Sequence, residues 1–363
     1  MQPFTYDALA GRVVFAEGGL ARVPEELGRI KARRILLIAD PSARTWADSL
    51  AKALGSLVVA RIDDVRPHVP IDRAEAARSI ARSHDVDTLV TIGGGSSTGL
   101  GKAVALECPV GFLAVPTTYA GSEVTPIWGL TRENRKETGR DPRVQPNVVI
   151  YDPVLTLSLP PAITGPSGMN ALAHCAEGLY AEGASPIPSL MAEEGIRALS
   201  VGLPQVIARP ADLDARSNVL VGAYLAGSVF AAAGSAIHHK ICHVLGGAYD
   251  LPHAEMHSVI LPHALAFNAP AVPGAIARMG RALGARDVPA AVFDLAVRIG
   301  APTSLAAIGM DADDLDEAAR LIVEAIPRNP QPVTFPTIRA LLDDAFEGRR
   351  PSLDRTAKRT VPA

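Results

Sequence analysis

Thr88-Leu89-Val90-Thr91-Ile92-Gly93-Gly94-Gly95-Ser96-Ser97-Thr98-Gly99-Leu100-Gly101-Lys102 is the stretch on which the fold turns. Its first five residues form a short run rich in apolar and β-branched side chains, the pattern of a strand covered on both faces. A helix through about Glu107 follows the glycines. Consecutive glycines permit positive φ and let backbone amides approach an anion closely. A helix start adds oriented N–H groups and partial positive charge, which suits a diphosphate. The same glycines would also serve as a plain strand-to-helix turn. The ordinary dinucleotide fingerprint, G-x-G-x-x-G at the first strand-to-helix turn, is absent.

Outward from this loop, the first 155 residues alternate strand and helix patterns. Arg12–Phe15 reads as an edge strand; Arg34–Ala39, Leu57–Ile62, Thr88–Ile92, Gly111–Val115 and Val148–Tyr151 read as further strands, with a helix over 71–84. Such alternation predicts βαβ units and a mostly parallel sheet. Leu159-Pro160-Pro161 reads as a break, and from Gly168 the patterns are helical: Ala171–Glu182, Pro188–Leu199, Ala211–Phe230, Ser235–Leu245, Gly274–Leu283, Val288–Ile299, Ala312–Glu324 and Thr337–Phe346. The organisation expected is an α/β amino-terminal dinucleotide-binding domain over 1–155, Rossmann-like with a parallel sheet. An all-α carboxyl-terminal catalytic domain over 156–350 and a flexible tail over 351–363 complete it.

Bulk properties narrow the function classes. A chain of 363 residues with net charge −3 and no basic run before its last fifteen residues argues against nucleic acid as a ligand. No apolar stretch of about 18 residues lacks charge or proline, so no membrane span is expected. Three distant cysteines, Cys108, Cys175 and Cys242, fit a reducing compartment better than a disulfide framework. With no secretory signal visible at the start, a cytoplasmic location is expected.

Three further features carry chemistry. Asp40 ends an early strand, where an acid can accept from a ribose 2′-hydroxyl and repel a 2′-phosphate; Asp-Pro also simply makes turns. Pro116-Thr117-Thr118-Tyr119-Ala120-Gly121-Ser122-Glu123-Val124-Thr125 places clustered hydroxyls after a buried strand, either as a ligand loop or as a polar cap. Six of the nine histidines, His238, His239, His243, His253, His257 and His263, fall within 26 residues. His239 and His243 share a helix face, as do Asn170 and His174 upstream. Pairs at i, i+4 converging with His253 suit a divalent metal or proton transfer. His257 and His263 also fit structural roles.

In order along nearly the whole chain, Gly93–Lys102, Pro116–Thr125, Tyr151–Pro160, Gly168–Glu177 and His239–His263 resemble the iron-containing alcohol dehydrogenase superfamily. Its glycine loop usually reads G-G-G-S-x-x-D-x-x-K; here Gly99 stands in place of the acid. The form P-T-T-Y-A-G-S-E-V-T-P-I-W-G, with Lys136, is similar to the maleylacetate reductase branch. The resemblance implies a dehydroquinate synthase-like architecture with its active site in the cleft between two domains. It implies cofactor binding at Asp40, Gly94, Gly95, Ser96, Thr117, Thr118 and Lys136. It maps metal positions onto Asn170, His174, His239 and His253, with His243 near the nicotinamide; these five are the candidate catalytic residues. Metal-dependent members carry Asp at the position of Asn170. We therefore expect no obligatory metal, NADH as cofactor with NADPH as the alternative, a small dianionic enone as substrate, and a homodimer. A metal-dependent alcohol or polyol dehydrogenase is the second expectation, and a lyase of related fold or a non-catalytic dinucleotide-binding protein stands behind it.

Overall fold

The computed structural model describes residues 4, 6, 11–132, 135–326 and 328–353, without the side chains of Arg135 and Lys136. The chain divides into two compact units after Leu159, four residues later than the sequence pattern suggests. The tail expected from 351 lies, beyond Leu353, outside the described residues.

The first unit is built on a six-stranded parallel sheet of β1 (Arg12–Phe15), β2 (Ile35–Ala39), β3 (Val58–Ile62), β4 (Thr88–Gly93), β5 (Gly111–Pro116) and, after a two-stranded antiparallel hairpin β6 (Ile127–Arg132) and β7 (Arg135–Arg140), β8 (Val148–Tyr151). The sheet order is β1-β8-β5-β4-β2-β3, all neighbours parallel. Alternate residues of each central strand feed opposite layers. Ile35, Leu37, Val90, Ile92, Leu113 and Val115 pack on α1 (Val23–Arg29) and α2 (Arg44–Leu54). Leu36, Ile38, Leu89, Phe112 and Ala114 pack under α3 (Ile71–Ser83) and α4 (Gly95–Ala105). Burial of both faces is why these strands read as continuous apolar runs.

The second unit is helical: α5 (Pro161–Gly178), α6 (Pro186–Ala208), α7 (Leu213–Ala233), α8 (Ile237–Tyr249), α9 (His253–Asn268), α10 (Pro273–Leu283), α11 (Val288–Arg298), α12 (Leu315–Ala325) and α13 (Phe335–Phe346). Two expectations need correction. Helix α5 begins at Pro161, ten residues before the predicted start, because proline is accepted at a first helical position where its missing N–H costs nothing. Helix α9 is not anticipated by the sequence pattern at all. It is buried along most of its circumference, so it carries no amphipathic period. Among the described residues no single helix is long and apolar enough to cross a membrane.

α5 packs on α6, α7 and α9, and α8 packs on α9 and α12. Between α7 and α8 the chain turns by 96° at Gly234–Ala236, where Gly234 has φ +78. That turn presents the start of α8 to α5.

Candidate active site

In the sheet unit the glycine loop is braced rather than flexible. Gly93 has φ +142, and a Cβ there would fall on the Asp40 carboxylate and the Ser97 hydroxyl. The Asp40 carboxylate accepts from the Gly94 amide at 2.9 Å and Ser97 Oγ at 3.3 Å with one oxygen. With the other it accepts from the Ser42 amide and hydroxyl and the Ala43 amide. Asp40 therefore makes the local turn and also ties it to the glycine loop. Its lone pairs are committed inside the protein.

Gly94 and Gly95 line a cradle that side chains would fill, with would-be Cβ atoms 3.0 Å from Thr118 Cγ2 and 3.2 Å from Ala120 Cβ. The start of α4 carries no side-chain cap, so its first-turn amides suit an anion. Ser96 is half-buried beside them, and the Thr117 amide donates to Gly93 O at 2.9 Å. Glycine loop, Asp40 and Thr117–Thr118 are thus one assembly. Lys136 sits in β7 opposite Thr131, and its side chain lies outside the described residues.

Lys102, at the end of the same motif, is fully buried. Its ammonium donates to Thr125 O, Thr125 Oγ1 and Ile127 O at 2.7–2.9 Å, and burial lowers its pKa to about 7. It pins the far end of the threonine loop. Nearby, Tyr151 donates to Glu123, whose carboxyl burial pushes upward in pKa.

The helical unit holds the histidines. Asn170 and His174 lie one turn apart on buried α5, and His239 lies at the start of α8. The rings of His174, His239 and Phe230 form a near-parallel stack with centroids 4.6 to 5.4 Å apart. His243 is exposed one turn beyond His239. His253, the first residue of α9, packs its ring 4.4 Å from His257. His257 in turn shares a 2.7 Å hydrogen bond with His238. Of the predicted cluster, His263 stands apart in the core. Burial, reinforced by neighbouring histidines, holds His174, His238 and His257 well below the usual imidazole pKa, so all three are neutral near pH 7.

Glu177 is the residue that sequence reasoning missed. It is completely buried and accepts from the backbone amides of Ala236, His238 and His239, capping α8. It also meets His239 Nδ1 at 2.5 Å. A carboxylate there fixes the Nδ1–H tautomer and leaves the Nε2 lone pair free for a ligand. Its signal was available: Asn170, His174 and Glu177 follow i, i+4, i+7, a single helix face.

Asn170 Oδ1, His174 Nδ1 and His239 Nε2 are buried without a hydrogen-bond partner. Unpaired buried acceptors are costly, and an oxygen with two imidazole nitrogens, one backed by a carboxylate, fits a divalent metal.

Residues 10–153 match the family model Iron-containing alcohol dehydrogenase, and residues 164–346 match Fe-containing alcohol dehydrogenase family, C-terminal. The chain belongs to the iron-containing alcohol dehydrogenase family and is an oxidoreductase with the dehydroquinate synthase-like architecture. Within that family it is 49% identical over 352 residues to the maleylacetate reductase of Burkholderia cepacia, covering 97% of this chain and 100% of that one. The crystal structure of maleylacetate reductase from Agrobacterium tumefaciens superposes with TM-score 0.93 at 47% identity, covering 97% of this chain and 100% of that one. An iron-containing alcohol dehydrogenase from Corynebacterium glutamicum superposes with TM-score 0.92 at 42% identity, covering 96% and 98%.

These matches overturn the expectation that no metal is required. The family is iron-containing over both halves of the chain, and replacing a carboxylate by Asn170 leaves an oxygen donor in place. Glu177 behind His239 supplies the negative charge that Asn170 lacks.

Proposed function

We propose that the chain reduces maleylacetate to 3-oxoadipate with NADH, NADPH being the alternative donor, in the breakdown of aromatic compounds. In balance, maleylacetate, NADH and one proton give 3-oxoadipate and NAD⁺. The observation that carries this is the near full-length identity to enzymes named for that reaction.

A bound reduced nicotinamide supplies the hydride, delivered to the alkene carbon β to the ketone. Asn170, His174, His239 and His253 would hold a divalent metal, and the chemistry it would supply is Lewis acidity. The chain's own groups do the rest. Amides at the start of α4, around Gly94, Gly95 and Ser96, receive the diphosphate, with Thr117 and Thr118 beside them and Lys136 assigned to the same cofactor. Asp40 holds that loop in shape, and its negative charge disfavours a 2′-phosphate, which supports NADH over NADPH. Glu177 keeps His239 in one tautomer. The neutral, buried imidazoles keep water and competing protons away from the acceptor atoms. Exposed His243 exchanges protons with water and is the proposed donor to the carbon α to the ketone. Three buried, unpaired cysteines accord with a cytoplasmic location, and the family likeness with a homodimer.

Steady-state assays with maleylacetate against NADH and NADPH, beside a panel of simple ketones, test the proposal. Turnover of maleylacetate at a kcat/KM far above every ketone is expected. Comparable rates on ketones contradict it and favour an alcohol dehydrogenase.

A further inference from the structure

The helices that carry the histidine site are short of positive charge. Among all residues of α5, α8 and α9 there is one Lys or Arg, Lys240. An imidazole that ligates a metal does so unprotonated, and Asn170 is an amide. A divalent metal would be half offset by the Glu177 carboxylate. A substrate with two carboxylates would leave one negative charge without a partner, and an uncompensated charge in such a site is expensive.

Lys240 sits where that charge is missing. At 100° per residue, His243 falls between His239 and Lys240 around α8, so the three share one arc. The opposite arc, Ile237, His238, Ile241, Cys242 and Leu245, is buried. His239 is buried, Lys240 half-buried and His243 exposed, so the arc opens from His239 toward the other two. Among the described residues the Lys240 ammonium has no carboxylate within ion-pair distance. It stands in the first turn of α8, one residue beyond the amides that the Glu177 carboxylate caps, yet makes no contact with that carboxylate itself. A half-buried ammonium without a counter-ion, on the same arc as His243, points to an anionic ligand.

We infer that Lys240 receives one carboxylate of the substrate and selects dianionic over monoanionic enones. This rests on the maleylacetate reading. Lys240→Met keeps an unbranched side chain one atom shorter and removes its charge, and Lys240→Arg keeps the charge. A charged hydrogen bond lost from the bound state corresponds to a rise of about 10- to 100-fold in KM for maleylacetate, with most of kcat retained. Lys240→Arg is expected to recover most of that loss. For one of the two mono-methyl esters of the substrate, Lys240→Met and the parent enzyme are expected to share the same KM. The variant is expected to melt at the temperature of the parent, since the ammonium makes no ion pair within the folded chain. An unchanged KM for the dianion overturns the inference, as does an equal loss on the dianion and both half-esters. Parent enzyme that fails to reduce maleylacetate at all removes the substrate reading and the Lys240 assignment together.

Discussion

Glu177 performs two jobs with one buried carboxylate: it caps α8 through three backbone amides and fixes the tautomer of His239. Glu177→Gln keeps the shape and removes the charge. Loss of such a backing carboxylate typically weakens metal binding by about 10- to 100-fold. Metal retained per subunit after dialysis against graded chelator is the measurement; retention equal to the parent protein contradicts the role. Asp40 is the corresponding residue in the sheet unit, with five donors on its two oxygens. Asp40→Ala leaves the Gly94 amide without its acceptor and removes a turn cap, a cost of about 2 kcal/mol in unfolding free energy. Denaturant titration with an unchanged midpoint would show that the brace is dispensable.

At the scale of elements, the strand β4–loop–α4 unit depends on backbone that only glycine provides. Gly93→Ala combines φ +142 with a collision at Asp40 and Ser97. It is expected to cost more than about 2 kcal/mol and to abolish NADH binding followed by fluorescence. A stable variant with normal binding refutes that account. Gly99, where the family usually has an acid, faces α3 through the residues that precede it: a Cβ would lie 2.8 Å from Val69 Cγ2. Gly99→Asp is expected to lower stability by about 1–3 kcal/mol through overpacking, and Val69→Ala in the same chain to recover part of it. Equal melting temperatures for the single and double variants would remove the steric explanation. Much of the sheet unit was legible because its strands are buried on both faces and its turns carry Gly, Asp and Pro. The hairpin β6–β7 was not, since β7 (R-K-E-T-G-R) has no apolar side chain and β6 (I-W-G-L-T-R) does not alternate apolar with polar. Helix α9 was hidden for another reason, being buried nearly all round, with buried His257, Ser258 and His263 interrupting its apolar residues and Pro262 inside it. Of the site, the paired positions Asn170–His174 and His239–His243 were visible as spacings. The tie from Asp40 to Gly94, 54 residues apart, and that from Glu177 to His239, 62 apart, were not, because only the tertiary fold brings them together.

For the molecule as a whole, buried neutral histidines set the response to acid. His263 is buried, and desolvation lowers its pKa from 6.5 to about 4. Its folded-state pKa lies below the unfolded one, so the unfolded chain binds the extra proton between these values. Stability is therefore lost as pH falls through 6.5 toward 4, by about 1 kcal/mol between pH 7 and 5.5 for this residue alone. His263→Leu should flatten the fall of unfolding free energy over that interval by this amount, whatever its effect at pH 7. An unaltered slope would place the titration elsewhere. The bond that is reduced separates a maleylacetate reductase from a ketone reductase. Incubation of maleylacetate with NADH carrying deuterium at both C4 positions, followed by NMR of the product, addresses it directly. One deuterium at the former alkene carbon β to the ketone is the result predicted. Deuterium on a carbinol carbon, the mark of ketone reduction, would contradict it.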